Sequence, residues 1–463
     1  MTTMTLNLRR FSFAEGSVRE ALADLRSRLS PRGDVVTPQA RERTLKVFGQ
    51  PLTPQQAVAR ICDDVRTDGL SALLSYTRKF DGVELAPQQL RVPHDELLEA
   101  RADIDADLLA TVTRVRDSLL AFQTGLLHRD AVLRMGRLYE LRQRYRPLAR
   151  VGICIPGGAA AYLSTALMTV VPAQAAGVPQ IAVVVPPTKF GGFNRDLLAV
   201  LGELGVREVY RVGGAQAVAA LAYGVDGIEP VEKIVGPGNL YVQLAKREVF
   251  GQVGIDFFAG PSEIVVLADG TANPQFVAAD LIAQAEHAPG AAILLTWSER
   301  LLDEVADAIA VQLEAFDRGA AARESLEQFG ALVLTRTLRE AVDLANFLAP
   351  EHLHLQVADP EWTLSQIDSA GAIFLGPYSP VAIGDYVAGP SHVLPTGSTA
   401  RFTGGLSAND FLKRSSVIYF SPDGLKQVAA DVCLLAEREK LPGHRRSIEV
   451  RLDALAKSPD PQP

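Results

Sequence analysis

The sequence predicts an α/β fold: two Rossmann-like parallel-sheet domains with an N-terminal helical arm and a C-terminal helical tail. Three observations carry this expectation. At 463 residues the chain exceeds what one hydrophobic core usually supports, so two large domains are expected. Hydrophobic residues make up 48% and aromatic ones only 6%, the balance of Ala/Val/Leu-rich alternating α/β enzymes. Beyond residue 130, short β-branched runs alternate with Gly or Pro breaks and helical stretches, the rhythm of right-handed βαβ units.

In chain order, residues 1–130 read as the helical arm. Apolar residues at spacings of three and four over 54–76 and 96–126 mark helices, and Thr53 before Pro54 supplies an N-cap with proline at the first helical position. Residues 131–258 read as the first α/β domain, with strands at 151–155, 181–185, 208–212 and 233–235. Residues 259–395 read as the second, with strands at 263–268, 291–296, 331–335, 352–357 and 372–375. Two such domains place a cleft between them. Residues 396–463 form the tail, in which helices over 422–440 and 444–456 flank Leu441-Pro442-Gly443 and pack on a partner or a neighbouring domain.

Composition excludes several classes. A net charge of −8 without a long basic run argues against nucleic acid as a partner. Cys62, Cys154 and Cys433 are far apart, odd in number and form no CxxC pair, which fits a reducing cytosol. The first 16 residues hold no apolar signal core, and no apolar stretch reaches membrane-spanning length, so a cytoplasmic protein without a membrane association is expected.

Three glycine-rich turns lie in the first α/β segment: Pro156-Gly157-Gly158, Gly213-Gly214-Ala215-Gln216 and Gly236-Pro237-Gly238-Asn239. The last two fall between an expected strand and helix, where free amides and the helix dipole favour an anion. None completes a dinucleotide fingerprint, because Tyr241 occupies the third glycine position after Gly236 and Gly238. Each alone reads equally as a tight turn, but three together point toward a nucleotide.

Five of the seven histidines lie beyond residue 280, and three have an acid beside or near them: Glu286-His287, Glu351-His352, and Asp385 seven residues before His392. An acid beside an imidazole fixes which nitrogen carries the proton, as a base, a metal ligand or a substrate clamp requires. Gln284 and His287 share one face of a helix expected over 274–287. Zinc takes about four ligands, so further donors must come from far along the chain, and a packed histidine remains the alternative. Glu351-His352 opens a strand after a proline stop; the two groups either divide base work or are an exposed acid beside a packed ring. His354 shares a sheet face with His352 and reads as a packing or rim residue, while His94 and His128 lie in charged helical surroundings and carry no role.

With these residues in view, the chain resembles the histidinol dehydrogenase family from roughly residue 30 to 456. The blocks that carry the resemblance run in the family's order: the segment from Val151 to Gly158, Val212-Gly213-Gly214-Ala215-Gln216-Ala217, Gly236-Pro237-Gly238-Asn239, Ala259-Gly260-Pro261-Ser262-Glu263, Gln284-Ala285-Glu286-His287, Ala349-Pro350-Glu351-His352-Leu353, Gly384-Asp385-Tyr386 through His392 to Gly397, and Asp410-Phe411-Leu412-Lys413-Arg414. The resemblance implies Gln284, His287, Asp385 and His444 as ligands of one zinc ion per subunit, also contacting substrate. It implies Glu351 as the residue that activates water and His352 as the general base. Ser262, His392 and Glu439 join Glu351 and His352 as substrate contacts, and Gln216 and Asn239 as NAD contacts. Cys154 stands where an NAD-contacting tyrosine is common, Ser391 replaces a frequent asparagine, and Leu163 a common proline. Glu439 and His444 are expected to come from the other subunit of a homodimer.

The implied activity is the oxidation of L-histidinol to L-histidine, the last step of histidine biosynthesis. Zinc fixes the imidazole and amine, His352 takes the hydroxyl proton, and a hydride passes to a first NAD. The retained aldehyde is hydrated with help from Glu351 and yields a second hydride to a second NAD. The nearest rival is a related zinc/NAD dehydrogenase of another polar alcohol, such as a sulfonated diol; His392 and Glu439 favour histidinol. A zinc hydrolase leaves the three glycine turns without a task, and a non-catalytic module leaves Glu351-His352 unexplained.

Overall fold

In the computed structural model, residues 6–13, 18–29, 38–158, 160–258, 260–287, 289–316 and 319–457 are described; motif residue Ala259, most of the N-terminal start and tail residues 458–463 lie outside them. The strands are β1 (Arg9–Ser12), β2 (Ala131–Met135), β3 (Tyr139–Pro147), β4 (Arg150–Cys154), β5 (Gln180–Val185), β6 (Glu208–Arg211), β7 (Lys233–Val235), β8 (Gly254–Ile255), β9 (Glu263–Ala268), β10 (Ala291–Thr296), β11 (Gly330–Leu334), β12 (His352–Gln356), β13 (Ala372–Leu375) and β14 (Leu412–Phe420). Two parallel sheets result, one in the order β6-β5-β4-β7-β8 and one in the order β1-β11-β10-β9-β12-β13. The α/β class and the two parallel sheets expected from sequence are what is found. Nine expected strands lie within two residues of their positions, because buried parallel strands such as Glu263–Ala268 and Ala291–Thr296 are continuous apolar runs.

The chain divides into two compact units, 1–126 with 148–411, and 127–147 with 412–463. The first holds both parallel sheets and the N-terminal helices. Helix Pro54–Asp81 starts as read: the Thr53 hydroxyl accepts from the Gln56 amide at 3.2 Å, and the Gln56 side chain accepts from the Thr53 amide at 3.0 Å. It kinks at Gly69, the one residue inside it with non-helical dihedrals, and packs Ile61, Val65 and Leu73 into a core shared with Val218, Leu221 and Leu244. The single helix expected over 96–126 is two, His94–Asp103 and Ala106–Gly125. Asp105 caps the second by accepting from Leu108, which starts a new helix rather than continuing the old one.

The expected arm 1–130 also contains a strand, β1, which adds to the edge of the six-stranded sheet beside β11. Residues 131–147, expected to open the first α/β domain, instead form the β2–β3 hairpin and pair antiparallel with β14 in the second unit. That unit ends in helices Pro422–Arg438 and Pro442–Lys457, the tail pair expected from sequence. Among the described residues no helix is long and apolar enough to cross a membrane.

Candidate active site

Within the first unit, one cavity of about 1320 Å³ is lined both by the glycine turns of the five-stranded sheet and by the acid–histidine residues of the six-stranded sheet. Open α/β sheets usually bind at the carboxyl ends of their strands. The five-stranded sheet does so: Cys154 ends β4, Gly213 follows β6 and Gly236 follows β7. In the six-stranded sheet the site is at the amino ends instead, with Ser262 just before β9 and Glu351-His352 at the start of β12. β12 is an interior strand between β9 and β13, and Ser262, just before β9, joins Glu351 and His352 on the cavity.

On the cofactor side, Gln216 lies in the first turn of helix Gly214–Tyr223 and Asn239 caps helix Leu240–Val249. The Asn239 Oδ1 accepts from the amides of Tyr241 at 3.0 Å and Val242 at 3.2 Å, so what Asn239 offers a ligand is its Nδ2. Gln216 is buried with an Oε1 that accepts from nothing among the described residues. An acceptor left dry in this way costs stability until a ligand supplies a donor. Gly236, at φ 109°, passes so close to the Cys154 carbonyl that a Cβ there would overlap it. Its peptide is held at both ends: the amide donates to Asp256 Oδ2 at 2.8 Å, and Lys246 Nζ donates to its carbonyl at 3.0 Å. Cys154 is buried, and burial pushes its thiol up to about 12.

On the catalytic side, the Ser262 hydroxyl donates to Glu351 Oε2 at 2.5 Å and the Glu263 amide to the same oxygen at 2.9 Å. Burial nevertheless pushes the Glu351 carboxyl up to about 8, because two hydrogen bonds do not replace the water removed around it. His352 lies 3.2 Å through Nδ1 from the Glu263 carbonyl, which can only accept, so Nδ1 carries the proton and Nε2 the lone pair. Nε2 is buried without a hydrogen-bond partner among the described residues, 3.9 Å from Asp385 Oδ1. Burial lowers the His352 pKa and raises that of Asp385. His392 donates from Nδ1 to the Asp385 carbonyl at 2.9 Å and accepts the Thr165 hydroxyl at Nε2, 3.2 Å away. Burial pushes it down to about 4, so it is neutral at pH 7.

Helix Pro274–Ala285 stops short of the expected 287, because Glu286 is its C-cap and His287 follows in a turn whose amide bonds the Gln284 carbonyl at 3.3 Å. The helix runs antiparallel to the strand before it, which returns its C-terminal end to the amino ends of β9 and β12. His287 lines the cavity there with Asp385. Gln284 is buried behind it, and its Nε2 bonds nothing among the described residues. A Gln, a His and an Asp suit zinc but leave its shell one donor short, and no three His, Cys, Asp or Glu side chains among the described residues form a metal site by themselves.

The structure thus brings together Ser262, His287, Glu351, His352, Asp385 and His392 with Cys154, Gln216 and Asn239 on one cavity. Glu439 and His444 belong to the second unit, both exposed, the first capping helix Pro422–Arg438 and the second on helix Pro442–Lys457. His354 is fully buried, bonded through Nδ1 to Asp280 at 2.9 Å and through Nε2 to the Gly376 carbonyl at 2.8 Å, which makes it a packing residue as read. Sequence reasoning missed Thr165, Lys246 and Asp256. The last two left a trace, a lysine on the apolar face of a helix and an acid between Ile255 and Phe257.

A family model described as histidinol dehydrogenase matches residues 50–452. A histidinol dehydrogenase of Rhodopirellula baltica is 55% identical over 434 residues, 94% of each chain. One of Geobacillus kaustophilus is 48% identical over 86% of this chain and 94% of its own. The crystal structure of histidinol dehydrogenase from Elizabethkingia anophelis superposes with a TM-score of 0.87 at 31% identity, covering 98% of this chain and all of that one.

Proposed function

The chain belongs to the histidinol dehydrogenase family, and from that premise we propose that its cavity converts L-histidinol to L-histidine in two NAD-linked oxidations, with zinc holding the substrate. One observation carries the reading: a base-competent imidazole and three glycine turns suited to a dinucleotide line the same cavity. When bound, zinc fixes the imidazole and amine nitrogens of the substrate and NAD accepts the hydride. Gln284, His287 and Asp385 would hold that zinc, with His444 as the fourth ligand. Support for this set is that His287 and Asp385 line the same cavity and that the first unit offers no complete group of metal donors among the described residues.

His352 Nε2, its lone pair set by the proton on Nδ1, accepts the hydroxyl proton of histidinol. Glu351, held by Ser262 and the Glu263 amide, accepts the proton of the water that adds to the aldehyde. His392, fixed between Thr165 and the Asp385 carbonyl, and Glu439 contact the substrate. Gln216 offers the cofactor an acceptor and Asn239 a donor.

The active protein is a homodimer in which Glu439 and His444 complete the partner's site. Apolar side chains exposed on the second unit support this, among them Leu133, Ile418, Leu434 and Leu435, together with a last helix that buries none of its residues in the single chain. The test is stoichiometry: purified zinc-loaded protein forms two NADH per histidinol consumed. One NADH with free aldehyde accumulating, or none, rejects the reading.

A further inference from the structure

Three carboxylates line the cavity: Glu351, Asp385 and Asp81. The first two belong to the catalytic end. Asp81 ends helix Pro54–Asp81, and its Oδ2 is buried with no hydrogen-bond partner among the described residues. Burial pushes this carboxyl up to about 6, with no neighbouring charge to offset it. The same cavity wall carries the apolar side chains of Phe48, Phe80 and Ile61, with Phe80 stacked on Tyr76 at 5.6 Å between ring centroids. The wall continues to Gly214, Gln216 and Asn239, where the cofactor turns lie. None of those turns carries an acid, and Asp256 behind them is fully engaged by Lys246, Gly236 and Phe257. Arg28, the one Lys or Arg lining the cavity among the described residues, is paired with Asp24 at 3.2 Å.

We propose that Asp81 is the cofactor-selecting residue: its carboxylate accepts hydrogen bonds from the adenosine ribose hydroxyls of NAD and repels the 2′-phosphate of NADP. The inference rests on the reading that NAD occupies this cavity. A half-buried, acceptor-only carboxylate with no bonded donor among the described residues gains from a ligand that brings donors, and vicinal ribose hydroxyls supply two. The apolar rings beside it offer a face for a planar base. A phosphate placed there would meet an uncompensated negative charge in a low-dielectric wall. The sequence could not give this role: the usual acid on the ribose follows a glycine fingerprint by about 20 residues, whereas Asp81 precedes every glycine turn.

The test compares wild type with Asp81→Asn and Asp81→Ala, all zinc-loaded, by calorimetric titration with NAD and with NADP and by steady-state rates at saturating histidinol. Loss of a charge-assisted hydrogen bond is expected to weaken NAD binding and raise its KM about tenfold or more in both variants. The ratio of kcat/KM for NAD to that for NADP falls at least as much, while kcat and the histidinol KM stay within about twofold. Thermal unfolding supplies the control. Removing an unbonded buried carboxylate leaves the Asp81→Asn melting temperature at pH 8 equal to or above that of wild type. Unchanged dinucleotide affinity and unchanged NAD-to-NADP preference overturn the proposal, and a lowered melting temperature with them makes Asp81 a packing residue. Wild type that binds neither dinucleotide would instead sink the underlying cofactor reading, and this inference with it.

Discussion

Lys246 and Asp256 form an ion pair with no side-chain exposure at all, and between them they hold both ends of the Gly236 peptide. Asp256 also accepts from the Phe257 amide at 2.8 Å, so the same carboxylate ties the cofactor turn to the segment that leads on to Ser262. Breaking a buried pair from one side leaves an uncompensated charge, at a cost of about 3–5 kcal/mol.

Lys246→Met is therefore expected to lower the melting temperature by several degrees and raise the KM for NAD, with the KM for histidinol little changed. Lys246→Met combined with Asp256→Leu removes both charges and recovers much of the stability but not the cofactor KM, because the Gly236 peptide stays unclamped. Thermal unfolding and steady-state kinetics on the single and double variants check this. Full recovery of both in the double variant would leave the pair no part in placing the turn.

A metal prediction follows from His287 and Asp385 lining the same cavity, with Gln284 one helical turn before His287 as the proposed third ligand. His287→Asn removes one donor, so zinc content and turnover should fall together by an order of magnitude or more. Metal analysis of the dialysed variant alongside its activity is the measurement. Full zinc occupancy with full turnover excludes His287 as a ligand.

The two neighbouring groups proposed as bases differ in their surroundings. Glu351 is held by two donors and burial raises it to about 8, whereas His352 presents a free Nε2. Glu351→Gln keeps the shape but takes no proton, so oxidation of supplied aldehyde should drop by about 10²-fold or more while alcohol oxidation drops less. His352→Asn slows both. Glu351 acts ionised, so in wild type the aldehyde step gains rate as pH rises through its pKa, and a cation beside Asp385 shifts that limb to lower pH. Loss of the limb in Glu351→Gln is the expected result; a limb that survives assigns it to another group.

Much of this was legible in the sequence. The two series of parallel strands stood out because strands buried on both faces are unbroken apolar runs, as Ile181–Val185 within β5 shows. β3 and β14 did not, because Arg142, Arg144 and Arg146 on one and Lys413 and Arg414 on the other place charge along exposed strands and hide the alternation. Acid–histidine neighbours marked one end of the cavity, because Glu351 and His352, adjacent in the chain, both line it. The clamp on Gly236 was hidden because a lysine within a helix ordinarily reads as solvent-facing. Thr165 was hidden because 227 residues separate it from the His392 it orients.

The last prediction concerns the tail. His444 is exposed on helix Pro442–Lys457, and the zinc set proposed for the first unit is one donor short. In a two-fold dimer with exchanged tails, each site combines Glu351 of one chain with His444 of the other. Homodimers of Glu351→Gln, and of His444→Ala, then have no intact site for histidine formation. Co-refolding the two variants places both defects in one site of each mixed dimer and leaves its other site whole. With random assembly about half the dimers are mixed, so roughly a quarter of wild-type activity should return. Counting mixed dimers by mass spectrometry and assaying histidine formation together decide the matter. Mixed dimers present in that proportion yet as inactive as either parent would mean that His444 serves the site of its own chain.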